Sequence, residues 1–257
     1  MTETQSPTRP SAATNRRVPV DGTVFRLTLG GLLGRRRGFL LLALPAVLLA
    51  VAICIRLLVG VDNDAASNTL SGFALGTLLP LIALIAGTGV IAPEIDDGSI
   101  IYILSKPMPR PRIVHSKLLV AVGSSLVFGA LPVFVAGLIM AGTQRGYAVA
   151  FGLAAALASI AYAAIFVLFG VISRHAVVFG LIYALLWETL VGNYLSGAGF
   201  LSVQQWALGV AKAMADQGAL KAGVGLPTAL VMLAVVTIGA TWLAGRRLSA
   251  FSLVGED

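Results

Sequence analysis

Long apolar runs separated by short polar connections dominate the chain. A helix needs about 20 mostly apolar residues to cross ~30 Å of hydrocarbon, because it rises ~1.5 Å per residue. Six runs reach this length, at about residues 39–60, 70–92, 118–141, 148–172, 176–194 and 226–245. The pattern therefore predicts an all-α integral membrane protein whose six transmembrane helices form a single domain over residues 21–247.

Polar segments flank and interrupt these runs. Residues 1–20, rich in proline, serine and threonine, predict a flexible tail. Residues 21–37 mix apolar side chains with a final arginine run, which predicts an interfacial helix; the alternative is a plain pre-membrane linker. Residues 195–225 predict an extracytoplasmic segment with an amphipathic helix on the outer leaflet. The apolar face of that helix comprises Val203, Trp206, Ala207, Val210 and Met214.

The composition agrees with this interpretation. Apolar residues make up 58% of the chain and charged residues 11%, against roughly 25% charged residues in an average soluble domain. The chain therefore has too little charge to cover a soluble surface, which argues against a soluble enzyme, a disordered chain or a fibrous repeat. The single cysteine, Cys54, can close no intrachain disulfide, and its apolar surroundings indicate a small core residue.

The basic residues predict an orientation. Most of the 18 lysines and arginines fall on one side of the membrane if the N-terminus is cytoplasmic. This bias predicts a multi-pass protein of the cell membrane, with both the N-terminal tail and the C-terminal tail, residues 248–257, in the cytoplasm. The net charge of +7 is then a topology signal and a source of contact with anionic membrane lipids. Nucleic acid is not a predicted partner.

The connection at residues 93–117 is more elaborate than a simple link between two spans. It begins with three acids within four residues, Glu94, Asp96 and Asp97, which suit the first turn of a helix. An apolar stretch at residues 100–104 follows, and then a basic stretch broken by three prolines. The pattern indicates a docking element for a cytoplasmic partner. The alternative is an interfacial hairpin that rests on the bilayer.

The order of residues in this loop resembles the permease subunits of ABC transporters of the type-2 (ABC-2-like) family. The resemblance lies in Glu94-x-x-x-Gly98-Ser99, then Leu104-Ser105-x-Pro107-x-x-Arg110, and then Lys117 before a span. It implies that the loop after the second of six spans contains the coupling helix that contacts a separate ATP-binding subunit. By position, the coupling segment would hold Glu94, Asp97, Gly98 and Ser99, and its basic return Arg110 and Lys117.

The resemblance also implies partners. Two ABC ATPase subunits would carry ATP and Mg, and a second permease copy or a paralogue would complete an exporter that couples ATP hydrolysis to substrate movement. The chain contains no Gly-Lys dipeptide, so it lacks a Walker-type phosphate loop and is not predicted to be an enzyme by itself. No catalytic set and no metal site is predicted, since His115 and His175 have no clustered ligands near them.

The residues leave several alternatives open. Substrate, export against import, and homodimer against heterodimer are not readable from the sequence. A second function class is a non-transporting membrane scaffold that recruits a cytoplasmic protein. A secondary transporter ranks lower, because it would need ion-coupling acids in several spans.

Glu188 is the one acid inside a predicted span. Intramembrane carboxylates are costly and often functional, so it is a possible intramembrane polar site that meets a substrate or proton in a cavity. The alternative is a residue near the outer interface whose partner is water, Asn193 or Arg56.

Overall fold

The computed structural model describes residues 34–91, 110–142, 146–188, 198–215 and 222–250, together with residue 30. All regular structure in these ranges is helical. The helices are α1 (Arg35–Leu58), α2 (Asn63–Gly89), α3 (110–141), α4 (Tyr147–Ile172), α5 (Ala176–Trp187), α6 (Val203–Met214) and α7 (Leu226–Ala250).

The all-α membrane fold is confirmed, with five of the predicted spans. Helices α1, α2, α3, α4 and α7 are each long and apolar enough to cross a membrane. The fifth predicted span, residues 176–194, is described only as the short apolar helix α5. Its 12 residues rise roughly 18 Å, which is less than the hydrocarbon thickness. The two tails, most of the interfacial helix and residues 93–109 of the loop lie outside the described residues.

Helix α4 occupies the centre of the bundle and packs against α2, α3, α6 and α7. Its sequence is rich in alanine, and the small-residue pair Ala154 and Ala158 is fully buried along with Ala150, Ala155 and Ala161. Small side chains let helix backbones approach closely, and this close approach replaces the hydrophobic driving force that lipid does not provide. The alanine content of this run thus explains why α4 is surrounded by other helices.

Helices α2 and α4 are in tight contact at Gly87. A Cβ atom at this position would lie 2.6 Å from Phe166 Cβ and 3.1 Å from the Phe166 carbonyl carbon. At Gly72 of the same helix, an added Cβ would meet nothing within 4 Å. The two glycines therefore form a matched pair, one at a tight helix contact and one in open space.

We expect Gly87→Ala to lower the free energy of unfolding by about 1–3 kcal/mol relative to Gly72→Ala, the usual cost of overpacking. Both changes bring a similar gain in helix propensity, so the difference between them isolates the clash with α4. Unfolding of the full chain in mixed micelles with increasing dodecyl sulfate measures it. Equal midpoints for the two variants would show that α2 and α4 do not meet at Gly87.

Two helices widen into π turns before a proline. Helix α2 does so over Thr69–Leu78, just before Pro80, and α3 over Leu126–Ala130, just before Pro132. Proline has no N–H, and its ring clashes with the carbonyl four residues earlier, so a wider turn accommodates it. Both helices therefore accommodate these prolines by local π turns.

The bundle has two distinct ends. The basal end is where α2 finishes at Gly89 and α3 begins at Arg110, and one buried cluster there includes Leu41, Ile91, Val114, Val171 and Ala244. The capped end is the opposite one, where α6 packs on α2, α4 and α7. The basal end therefore carries the ends of the predicted coupling loop, and the capped end carries Glu188.

Candidate functional site

The Glu188 side chain is fully buried at the capped end, directly after α5. Its carboxylate accepts hydrogen bonds from Ser202 Oγ at 2.6 Å, the Val203 amide at 3.1 Å, the Gln204 amide at 3.2 Å and Tyr183 Oη at 3.1 Å. Four donors thus converge on one buried carboxylate.

Three of the four donors come together because Glu188 lies at the N-terminus of α6, and the fourth, Tyr183, is on α5. The first amides of a helix have no intrahelical acceptor, and the helix dipole favours an anion there. Ser202 is the N-cap residue, and its Oγ also accepts from the Gln205 amide at 3.2 Å. The N-terminus of helix α6 is therefore capped by two side chains. Ser202 caps it from the adjacent position in the sequence, and Glu188, which follows α5, caps it through a tertiary contact.

Gln204 joins α6 to α2. Its side-chain Nε2 donates to the Ser71 carbonyl oxygen at 2.9 Å, inside the π turn of α2. The amide group fits because Gly76 has no side chain, since a Cβ there would lie 2.6 Å from Gln204 Nε2. Gly76 thus lies at the contact between α2 and α6.

The burial of α6 corrects one prediction. The helix exists where the sequence predicts it, but its position on the surface of the outer leaflet is wrong, because every residue from Val203 to Ala211 is buried. Its polar side chains find partners inside the protein: Gln204 on α2, and Gln205, whose Oε1 accepts from the Gly223 amide at 3.3 Å. Gly209 lets it approach the segment before α7, since a Cβ there would lie 2.8 Å from the Val224 carbonyl oxygen.

Two tryptophans hold the turn that leads into α6. Trp187 Nε1 donates to the Leu201 carbonyl at 3.0 Å, and Trp206 Nε1 donates to the Phe200 carbonyl at 3.1 Å. With the Glu188 contacts, these bonds attach both the entry turn and the N-terminus of α6 to neighbouring elements. The capped end is therefore closed by a rigidly attached helix rather than by a loosely packed loop.

Two polar atoms near Glu188 lack hydrogen-bond partners among the described residues. These are the Tyr162 hydroxyl on α4 and Gln204 Oε1, both fully enclosed by protein. The Tyr162 hydroxyl is close enough to Glu188 for electrostatic interaction. The buried cluster thus retains unused hydrogen-bonding capacity beside the carboxylate.

The partners of Glu188 differ from those that the sequence suggested. Arg56 instead donates from Nη1 to the Met140 carbonyl at 3.5 Å, and Asn193 lies outside the described residues. Ser202 could have been found from sequence as an N-cap serine before an amphipathic helix. Tyr183 and Gln204 give no such signal, because only the packing of α5 and α6 brings them to the carboxylate.

At the basal end, Lys117 is almost fully buried, with 2% of its side chain exposed. Its Nζ donates to the Val90 carbonyl oxygen at 2.7 Å. Val90 follows the last residue of α2, where carbonyls have no intrahelical partner and the helix dipole favours a cation. Lys117 therefore joins the two helices at the base of the loop, and its predicted contact with a partner stays a prediction.

The other predicted coupling residues are only partly described. Arg110 is the first residue of α3, and its side chain is outside the described set. Glu94, Asp97, Gly98 and Ser99 lie outside the described residues altogether. Within the described ranges, no group of three histidine, cysteine, aspartate or glutamate side chains could hold a metal ion.

These features define a multi-pass α-helical membrane protein. The sequence model of the family described as ABC-2 family transporter protein matches residues 55–197, more than half of the chain. The chain therefore belongs to the ABC-2 transporter family, as the residues of the loop predicted. A search of the curated proteins returns no match. The family provides the membrane component of ABC transporters and not the ATPase itself.

Proposed function

We propose that this protein is the permease subunit of an ABC exporter. Two ATPase subunits, which carry ATP and Mg, would bind the loop at residues 93–117, and a second permease copy or paralogue would complete the path. The cell membrane would hold the complex with both termini and the basal end in the cytoplasm. Family membership supports this function, and the hydrogen bond from Lys117 to Val90 is the structural observation that carries the coupling role.

The base of the loop is suited to transmit force. The chain leaves α2 at Val90 and Ile91 and returns through α3, and both sides belong to one buried cluster. Lys117 joins the two sides directly by its bond to Val90. A push on the loop would therefore move α2 and α3 together instead of being absorbed by a flexible connection.

Helix α2 connects this base to the capped end. Ser71, which accepts the bond from Gln204, lies 19 residues before Val90, a distance of roughly 30 Å along a helix. Movement of the basal end of α2 would thus reach α6, which the Glu188 cluster holds in place. In this proposal, ATP-driven movement of the loop shifts α2 against α6 and opens a path at the capped end.

Co-purification tests the docking step. The tagged full chain is co-expressed with an ABC ATPase from the same organism, as wild type, as Glu94→Gln and as Asp64→Asn. Asp64 is an exposed acid at the capped end and serves as the matched control. We expect Glu94→Gln, but not Asp64→Asn, to reduce the bound ATPase. Full binding after deletion of residues 94–104 would contradict the coupling role of the loop.

Reconstitution separates a transporter from a scaffold. Vesicles that contain the permease and its ATPase are supplied with ATP and a panel of labelled lipids and amphiphilic compounds. A transporter moves at least one compound in a manner that depends on ATP hydrolysis. A scaffold binds the ATPase equally well but shows no ATP-dependent movement, and that result would overturn the proposed function.

A further inference from the structure

Helix α7 is the least enclosed of the spanning helices. Only 17% of its most apolar 18-residue stretch is buried. More than half of the surface is exposed at Val231, Val235, Ile238 and Trp242. Such a surface faces either lipid or another protein. At the basal end, a groove lies on this exposed face of α7.

The groove lies between α7 and the start of α3 and has a volume of about 670 Å³. This is within the range of roughly 300–1,000 Å³ that is typical of small-molecule sites. Its lining includes His115, Thr237, Thr241, Trp242, Gly245 and Arg246.

The body of the groove is apolar although two threonines line it. The Thr237 hydroxyl donates to the Leu233 carbonyl and the Thr241 hydroxyl to the Thr237 carbonyl, each at 2.7 Å. Both hydroxyls are thus used within α7. Gly245 deepens the groove, because a Cβ there would meet nothing within 4 Å. The interior therefore suits a hydrocarbon chain.

The end of the groove is cationic and lies at the level where headgroups are expected. The Arg246 guanidinium carbon lies 4.5 Å from the centre of the Trp242 ring, so the exposed arginine is held over the groove by a cation–π contact. In the described part of the chain, the acids are Asp62, Asp64 and Glu188, all at the capped end. A tryptophan beside an arginine at a helix end is also typical of the membrane interface.

We propose that this groove binds an anionic phospholipid, with an acyl chain along α7 and the phosphate at Arg246. Charge complementarity selects this occupant, because the cationic end of the groove matches the lipid phosphate and headgroup and its apolar body matches the acyl chain. A second apolar groove of about 460 Å³, lined by residues that include Phe169, Phe179 and Trp187, has no charged side chain among the described residues of its lining. That groove has no reason to select one headgroup charge over another.

The two grooves provide an internal comparison. The full chain is placed in nanodiscs that contain acyl-brominated phosphatidylglycerol or acyl-brominated phosphatidylcholine, because bromine quenches tryptophan fluorescence on contact. Trp187→Phe with Trp206→Phe leaves Trp242 as the only reporter, and Trp206→Phe with Trp242→Phe leaves Trp187. We expect quenching of Trp242 to favour phosphatidylglycerol about fivefold, the effect of roughly one arginine at an anionic surface. Trp187 should show no preference.

Two substitutions separate a site from general surface charge. Arg246→Gln should abolish the preference at Trp242, whereas Arg247→Gln, which removes the same charge from a residue outside the lining, should keep it. Gly245→Leu should fill the groove and protect Trp242 from both lipids. Native mass spectrometry of chains that keep all three tryptophans checks the result independently, by the number of phosphatidylglycerol molecules retained in wild type, Arg246→Gln and Arg247→Gln.

Three results would overturn the proposal. Equal quenching of Trp242 by both lipids would show that the groove does not select charge. An equal loss of preference in Arg246→Gln and Arg247→Gln would assign it to bulk electrostatics. Protection of Trp242 from both lipids in the wild-type groove, with Trp187 still quenched, would show that a second copy or another protein covers it.

Discussion

Replacing Glu188 by leucine is expected to destabilise the protein by on the order of 2–5 kcal/mol. Leucine fills a similar volume but accepts no hydrogen bond, so the amides of Val203 and Gln204 would remain buried without a partner. Replacement of a buried charge by an apolar residue can be favourable when its partners are replaced too. Here two partners belong to the backbone and cannot be removed. Unfolding of the full chain in dodecyl sulfate mixed micelles measures the change.

Glu188→Gln is the matched control. It keeps one acceptor oxygen, so it should retain part of the lost stability and fall between the wild type and Glu188→Leu. If Glu188→Leu unfolded at the same dodecyl sulfate concentration as the wild type, the hydrogen bonds at the N-terminus of α6 would not stabilise the capped end. Glu188→Leu and Glu188→Gln also distinguish two roles of Glu188 in transport. If the role is purely structural, transport activity should decrease in step with the loss of stability. A direct contact with substrate predicts that Glu188→Gln folds well and transports poorly.

Replacing Lys117 by methionine is expected to uncouple transport from ATP hydrolysis. The variant keeps an unbranched, slightly shorter side chain but loses the bond to Val90, so the ends of α2 and α3 would no longer move as one. Loop residues 93–109 are unchanged, and the ATPase should therefore still bind. Transport per ATP hydrolysed should fall roughly 5- to 150-fold, the range of typical coupling free energies. Vesicles with wild-type or variant permease and its ATPase measure both rates.

Lys212→Met is the control for this change, because Lys212 is an exposed lysine in the last turn of α6. It should transport and hydrolyse ATP as the wild type does. An unchanged transport-to-hydrolysis ratio in Lys117→Met would show that the base of the loop does not transmit the movement. Loss of ATPase binding in Lys117→Met would instead place the lysine in the docking surface, as its position in the family pattern first suggested.

Five spans could be predicted from sequence because each is a continuous apolar run long enough to cross a bilayer by itself. The run at residues 176–194, the fifth in chain order, differs. Its helix α5 has 12 described residues, and the chain then places Glu188 where it is surrounded by hydrogen-bond donors. Hydropathy counts the run at residues 176–194 as one span, because apolarity alone does not record that a residue within the run belongs to a buried polar network.

Helix α6 also has one property that the local sequence predicts and another that depends on the tertiary structure. The spacing of Val203, Trp206 and Val210 predicts an amphipathic helix correctly, because the periodicity of side chains around a helix depends only on the local sequence. Its environment depends on residues far along the chain. Gln204 meets Ser71, 133 residues earlier, and this contact lets a polar side chain enter the bundle. No local sequence pattern distinguishes a polar helix face that is solvated by water from one whose hydrogen bonds are formed with other parts of the protein.

The sequence by itself determined the membrane class, the positions of five spans, the family and the loop that carries its motif, because these depend on composition and on short-range order. Only the tertiary structure decided the burial and the hydrogen-bond partners of Glu188 and Lys117. Each is a charged side chain whose burial is tolerable only when specific donors or acceptors surround it. Those partners, the amide donors at the N-terminus of α6 and the acceptor carbonyl at the C-terminus of α2, come into place only after the helices have formed and packed.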